Sequence, residues 1–214
     1  MQYAPLTAAA NTYPDDAFAA HVVALVGSRL CHDLVSPLGA IGNGVELLQM
    51  AGCSDGDEMR LIEDALKAAR ARINCFRIAF GAAGASQRVS AAEFAALVAD
   101  IQTSSRLRIG LDIEGDHSRG VVKLVLLSLM CMETAMPWGA RVMISQKGRD
   151  WRISAQAERT RQDPALWARL DCPRSGKAET GASEVQFLLL PLTAAELDRR
   201  VIWSMTETSV EIGF

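Results

Sequence analysis

Apolar or small residues recur at Ala20, Ala24, Gly27, Cys31, Leu34, Leu38, Ile41, Val45 and Leu48, in steps that alternate four and three. That spacing is a heptad seam, the pattern of a helix packed in a left-handed bundle. It predicts one helix from Asp15 to about Ala51, with Pro37 inside it. Gly52-Cys53-Ser54-Asp55-Gly56 breaks the pattern. A second seam then runs through Ile62, Leu66, Ala69, Ile73, Phe76 and Phe80. Asp55 with Glu58 three residues later reads as its capping box, and Gly81 as its stop. Two long seams joined by a short turn make an antiparallel helical hairpin. One hairpin alone has only one face to bury. The seams therefore predict pairing with a second hairpin, a dimeric four-helix bundle. The alternative is that the C-terminal half of the same chain covers that face.

The pattern changes after Gly81. Residues 81–87, GAAGASQ, form a small-residue linker. Ser90 and Glu93 make a second capping box, opening a helix to about Ser104. Leu107–Ile113 alternates as a strand, and Arg119–Met136 is an apolar helix. Ala140–Ser145 and Trp151–Ala157 read as a hairpin around Lys147-Gly148-Arg149-Asp150. A short helix over Asp163–Leu170 starts at Pro164. A longer one is predicted over Ser183–Arg200, despite Pro191. Val201–Thr206 and Ser209–Phe214 alternate like a final strand pair. The division expected is an N-terminal segment over 1–14, a hairpin over 15–81, a linker over 82–89 and an α/β unit over 90–214. The fold class is α plus α/β: a helical hairpin followed by a sandwich with one sheet and helices on one of its faces.

Composition narrows the function. The 214 residues carry a net charge of −3, and half are hydrophobic. An acidic balance, with a pI near 5.7, argues against a nucleic-acid binder dominated by phosphate contacts. Five scattered cysteines without a CxxC pair favour reduced thiols. The first twenty residues lack a basic region followed by an apolar one. The apolar run Val121–Met132 is too short to span a bilayer and holds Lys123. The expectation is a cytoplasmic protein.

One turn stands out. Residues 28–39 read SRLCHDLVSPLG. Proline within a helix costs roughly 3 kcal/mol, because it has no N–H and crowds the preceding turn. Pro37 removes the bond to the carbonyl of Asp33 and marks a local bend beside His32. His32 follows a seam position by one residue, about 100° round the helix, and so should face outward. The next turns hold Gly39, Gly42 and Gly44, which cost roughly 1 kcal/mol each and leave a smooth groove. A neutral imidazole is a competent nucleophile towards phosphorus. Arg29, Ser36, Pro37, Gly39, Asn43, Arg70 and Arg77 are candidates for docking or positioning a partner, with Arg72 on the same helix as the last two. Guanidinium groups suit a transferring phosphate or an acidic rim.

His32-Asp33-Leu34-Val35-Ser36-Pro37 resembles the H-[DE]-x-x-x-P phosphoacceptor box of two-component histidine kinases. More narrowly, SRLCHDLVSPLGAIGNGVELL and FRIAFGAAG are similar to the alphaproteobacterial ChpT-type histidine phosphotransferases. The match is close over residues 28–48 and 76–84; the remainder matches by architecture. The resemblance implies a dimerising phosphoacceptor hairpin and a degenerate ATPase-like (Bergerat/GHKL) domain. It implies that His32 takes a phosphoryl group from a receiver aspartate of a hybrid kinase. The group then passes to response-regulator receivers, in a cell-cycle relay of the CckA–CtrA/CpdR type. Asp33 matches the acid that orients or deprotonates the imidazole. Mg²⁺ is expected from the receiver, and no cofactor or metal from this chain.

The ATP-binding signatures of a kinase are missing. Where the kinase N-box has asparagines, the helix LVLLSLMCMETAM offers Ser128, Cys131 and Met132, and no asparagine follows Asn74. Only Ser128 and Glu133 remain there as oxygen ligands for Mg²⁺. The D-x-G-x-G box is absent, and residues 183–200 contain no glycine. Three other readings stay open: a non-catalytic scaffold or inhibitor that docks receivers or kinases, an ATP-dependent kinase, and an HD-type metal phosphohydrolase. The last is poorly supported, because only His21 and His117 remain as further histidines.

Overall fold

The first helix, α1 (Asp15–Ala51), runs unbroken for 37 residues, with Pro37 inside. At 1.5 Å per residue it is about 55 Å long. The computed structural model describes residues 15–51, 57–84, 86–174 and 180–214. The N-terminal segment and Asp55 of the predicted capping box lie outside the described residues. Helix α2 (Asp57–Ala79) returns antiparallel: Asp33 meets Arg72, and the turn around Ala40 faces Leu61 and Ala65.

The predicted seam is not the face α1 turns to its own chain. Phe18 and Val22 are buried against Val185 and Leu188, with Leu25 and Val26 packed alongside. Val35, Leu38 and Val45 stay exposed on α1, and Leu66 and Ile73 on α2. The helix thus carries two apolar stripes, and periodicity names a stripe without naming its partner. This surface also gives Ala17–Leu48 the length and hydropathy of a membrane span. Arg29, His32 and Asp33 lie in the middle of that stretch, where hydrocarbon would disfavour them.

Helix α2 ends where two cations, Arg119 and Lys123, reach the carbonyls at and just past its last turn. Arg119 donates to the Arg77 carbonyl at 2.6 Å and Lys123 to that of Gly81 at 3.1 Å. These are the groups a helix C-terminus leaves unsatisfied. Gly81 is needed there for close approach rather than for left-handed backbone: a Cβ would sit 2.2 Å from the Arg77 carbonyl oxygen.

Strand β1 (Arg88–Val89) pairs antiparallel with β3 (His117–Ser118). Two-residue strands leave no periodic signal, and the sequence reading missed both. Between them lie α3 (Ala91–Ser104) and β2 (Leu107–Asp112). The capping box that opens α3 is present as predicted: the Ser90 hydroxyl accepts from the Glu93 N–H, and Glu93 accepts from the Ser90 N–H. The chain continues through α4 (Arg119–Ala135), β4 (Ala140–Lys147), β5 (Asp150–Gln156), α5 (Pro164–Trp167), α6 (Gln186–Glu196), β6 (Ile202–Met205) and β7 (Ser209–Gly213). The five-stranded sheet has the order β2-β4-β5-β7-β6. Only the β2–β4 pair is parallel.

Alternation along the strands makes one face of the sheet apolar. Val142, Ile144, Ile153, Ala155, Val210 and Ile212 are buried there, while Arg141, Met143 and Arg152 face outward. Helix α4 is buried along nearly its whole length and forms the centre of the core. Cys75, Phe76, Ile78 and Ala79 of α2 join the same core, so the end of the hairpin is packed into the α/β unit. Helix α6 is shorter than the predicted Ser183–Arg200. It closes at Ala194–Arg199 with paired bonds, Asp198 N–H to the Ala195 carbonyl and Arg199 N–H to that of Ala194. Asp198 takes φ 54°. This is a Schellman ending with aspartate in the usual glycine place, which leaves no glycine stop signal after Glu196.

Candidate phosphoacceptor site

His32 stands on the outward face of α1, its side chain 80% exposed. Its Nδ1 lies 2.9 Å from Asp33 Oδ1. An ionised carboxylate only accepts, so Nδ1 carries the hydrogen and donates it. The lone pair is thereby left on Nε2. Asp33 itself is mostly buried, and its other oxygen accepts from Arg29 Nε at 2.6 Å. Arg72 Nη1 of α2 stands 3.6 Å from that same oxygen. Arg29 also donates from Nη1 to the Ser183 carbonyl at 2.6 Å. A chain of contacts therefore runs from the turn before α6, through Arg29 and Asp33, to the imidazole.

The local sequence explains this arrangement. Arg29 and Asp33 are four apart and share a helix face. Ser36, Pro37 and Ala40 continue that face, and Asp64, Ala68 and Arg72 line the opposite wall of an open groove. Small alanines at 40, 65 and 68 keep it shallow. Gly39 and Gly42 face open space, with nothing within 4 Å of where a Cβ would stand; Gly44 is buried and Asn43 exposed. Arg29, Ser36 and Pro37 are thus brought to His32. Arg70 and Arg77 do not line the groove. Arg77 lies at the far end of α2, where its carbonyl meets Arg119 and its charge acts on Glu93. The level of His32 on α2 falls at 68–72, so Arg72 is the arginine in place. Asp64 and the Ser183 carbonyl were not foreseen. The carbonyl belongs to a turn that is close in space and remote in sequence, which leaves no local signal.

The helix that would bind nucleotide in a kinase is closed. Ser128, Cys131 and Met132 are fully buried, and the Ser128 hydroxyl donates to the Leu124 carbonyl at 2.8 Å. Of the two oxygen ligands expected there, Ser128 is therefore engaged inside the core. Glu133 instead lines a small cavity with Arg29 and Arg72. Among the described residues, no group of three or more His, Cys, Asp or Glu is placed to hold a metal.

A helical hairpin joined to an α/β sandwich defines the fold class. A family model described as the histidine phosphotransferase C-terminal domain matches residues 91–209, and the chain belongs to that family. It is similar to the protein phosphotransferase ChpT of Brucella abortus (strain 2308), 54% identical over 63 residues. Those residues are 29% of this chain and span only 30% of that relative's length. A bacterial phosphotransferase solved at 1.7 Å superposes with a TM-score of 0.77 at 28% identity, over 91% of this chain and 96% of that one. The ChpT-type resemblance is borne out.

Proposed function

We propose that the chain is a phosphorelay carrier whose His32 accepts a phosphoryl group from a receiver-domain aspartate of a hybrid kinase and passes it to response-regulator receivers. The observation that carries this reading is the exposed imidazole with Nδ1 tied to Asp33 and Nε2 open. In the forward step the Nε2 lone pair attacks phosphorus. An N–P bond forms, the P–O bond to the receiver aspartate breaks, and its electron pair returns to that carboxylate. The ring keeps its Nδ1 hydrogen and gains positive character, which the Asp33 carboxylate offsets. Donation is the reverse, onto a second aspartate. Such transfer depends mainly on positioning and charge stabilisation. Mg²⁺ is supplied by the receiver's own acidic pocket. The buried Ser128, Cys131 and Met132 support a domain that takes no nucleotide.

The relay partners are of the CckA–CtrA/CpdR type, and the site of action is the cytoplasm. The working unit is a homodimer. Val35 and Leu38, 67% and 59% exposed, continue with Val45, Leu66 and Ile73 as an apolar stripe that a second hairpin would cover. The test is incubation with ATP alone and with a phosphorylated receiver. Acid-labile label from the receiver only, lost in His32→Ala, is expected. Label from ATP would restore the kinase reading, and receiver binding without label would favour the scaffold.

A further inference from the structure

A small cavity of about 30 Å³, enough for one water, lies behind the His32 site. Arg29 of α1, Arg72 and Cys75 of α2, Ser104 of α3 and Glu133 of α4 meet there. The reading of His32 as phosphoacceptor does not use Glu133, and the sequence suggested only a vestigial metal ligand. Its neighbours give it another part. Two guanidinium groups are shared by two carboxylates: both stand beside Asp33, and both line the cavity with Glu133 of α4. The four charges sum to zero. Their spacing is uneven: Arg29 touches Asp33 at 2.6 Å, whereas Arg72 is held off at 3.6 Å.

We infer that Glu133 is a positioning residue for His32: by holding part of the charge of Arg29 and Arg72 from α4, it keeps Asp33 available to the imidazole. The inference rests on the phosphoacceptor reading given above. With Glu133 neutralised, both guanidinium groups have only Asp33 to pair with. Arg72 closes on the carboxylate and competes with His32 Nδ1 for it. The ring then loses the partner that fixes its hydrogen on Nδ1, and Nε2 is no longer held as the open nitrogen. Burial pushes the Glu133 carboxyl above its usual range, and Arg72 and Arg29 oppose that rise. This is the mutual dependence expected of a shared cluster. The α/β unit would thus contribute to the chemistry without touching the phosphate.

The test has two independent readouts on the full-length chain: the tautomer of His32 from its ring ¹⁵N shifts, and the rate of labelling by a phosphorylated receiver. Glu133→Gln should move the ring from the Nδ1–H form towards Nε2–H and slow labelling about twofold to threefold, since outright loss of the Asp33 contact sets the ceiling. Glu133→Asp, which keeps the charge, should stay near wild type. Glu133→Gln with Arg72→Gln restores neutrality and should recover the Nδ1–H form. An unchanged tautomer in Glu133→Gln, or no recovery in the double variant, overturns the inference. If Glu133→Gln does not fold, the folded double variant must show the Nδ1–H form, and its absence there refutes the inference equally. Failure of the wild type to take label would contradict the relay reading instead, and the tautomer would still judge Glu133.

Discussion

Asp33→Asn separates orientation of the imidazole from simple charge. Asparagine has the shape of aspartate and a single oxygen. Arg29 donates at 2.6 Å to one side of residue 33 and demands that oxygen. The amide NH₂ then faces His32 Nδ1, 2.9 Å away in the native chain. A donor there forces Nδ1 to accept, and the ring hydrogen moves to Nε2, the nitrogen that must attack. To react, the ring has to break the new bond and change tautomer. A hydrogen bond with a charged group is worth about 1.5–3 kcal/mol. The 80% exposed ring can turn into water instead, which places the penalty near the lower end, about 1.4 kcal/mol or tenfold in rate. Asp33→Ala imposes no tautomer, so it should lose only about threefold. Stability should run the other way, because alanine leaves Arg29 and Arg72 without the partner. The assay is the initial rate of label transfer from a phosphorylated receiver, with melting curves alongside. Asp33→Asn at the wild-type rate, or faster than Asp33→Ala, would refute the reasoning.

Three further outcomes are expected. Leu38→Asp puts a carboxylate on the exposed apolar stripe and should weaken the proposed dimer by about a hundredfold, roughly 3 kcal/mol, read by sedimentation; unchanged self-association would show that this stripe does not pair two hairpins. His117 is buried, its ring stacked edge-on to Trp151 at 4.8 Å, and its Nε2 has no hydrogen-bond partner among the described residues. Burial first, then the Arg88 charge, holds it below the ordinary value of 6.5. The unfolded chain therefore binds that proton more readily, so stability is full above about pH 6.5 and falls as pH drops below it. His117→Phe should flatten the fall in Tm between pH 7 and 5, and a slope equal to wild type would contradict this. Asp198→Gly removes the side chain from φ 54° and should raise Tm by about 2 °C; a lower Tm would mean that the aspartate side chain stabilises the turn.

Elements with long periodic signals were legible in the sequence. Helix α1 has the bounds its seam predicted, and Ser90 caps α3 with Glu93 as expected. Local chemistry was legible too, since Arg29, His32, Asp33, Ser36 and Pro37 sit within three turns of one helix. What depended on packing between distant segments was not. The face α1 buries, the level of α2 beside His32, and the Ser183 carbonyl on Arg29 are tertiary facts. Arg70 and Arg77 were equal candidates with Arg72 by charge, and only the register of the hairpin separates them. Glu133 read as a remnant of a metal site, because nothing in LMCMETAM reveals that it faces two arginines from another part of the chain. Asp198 hid the end of α6 for a different reason: aspartate is tolerated in left-handed backbone without announcing it.

The central claim is that Nε2 of His32 carries the phosphoryl group. The most direct measurement is to phosphorylate the isotopically labelled chain from a receiver domain and locate the N–P bond by ³¹P and ¹⁵N NMR. One phosphohistidine is expected, at His32, bonded through Nε2, with the Nδ1 hydrogen retained towards Asp33. Phosphorus on Nδ1, on another residue, or on no residue of this chain would contradict it.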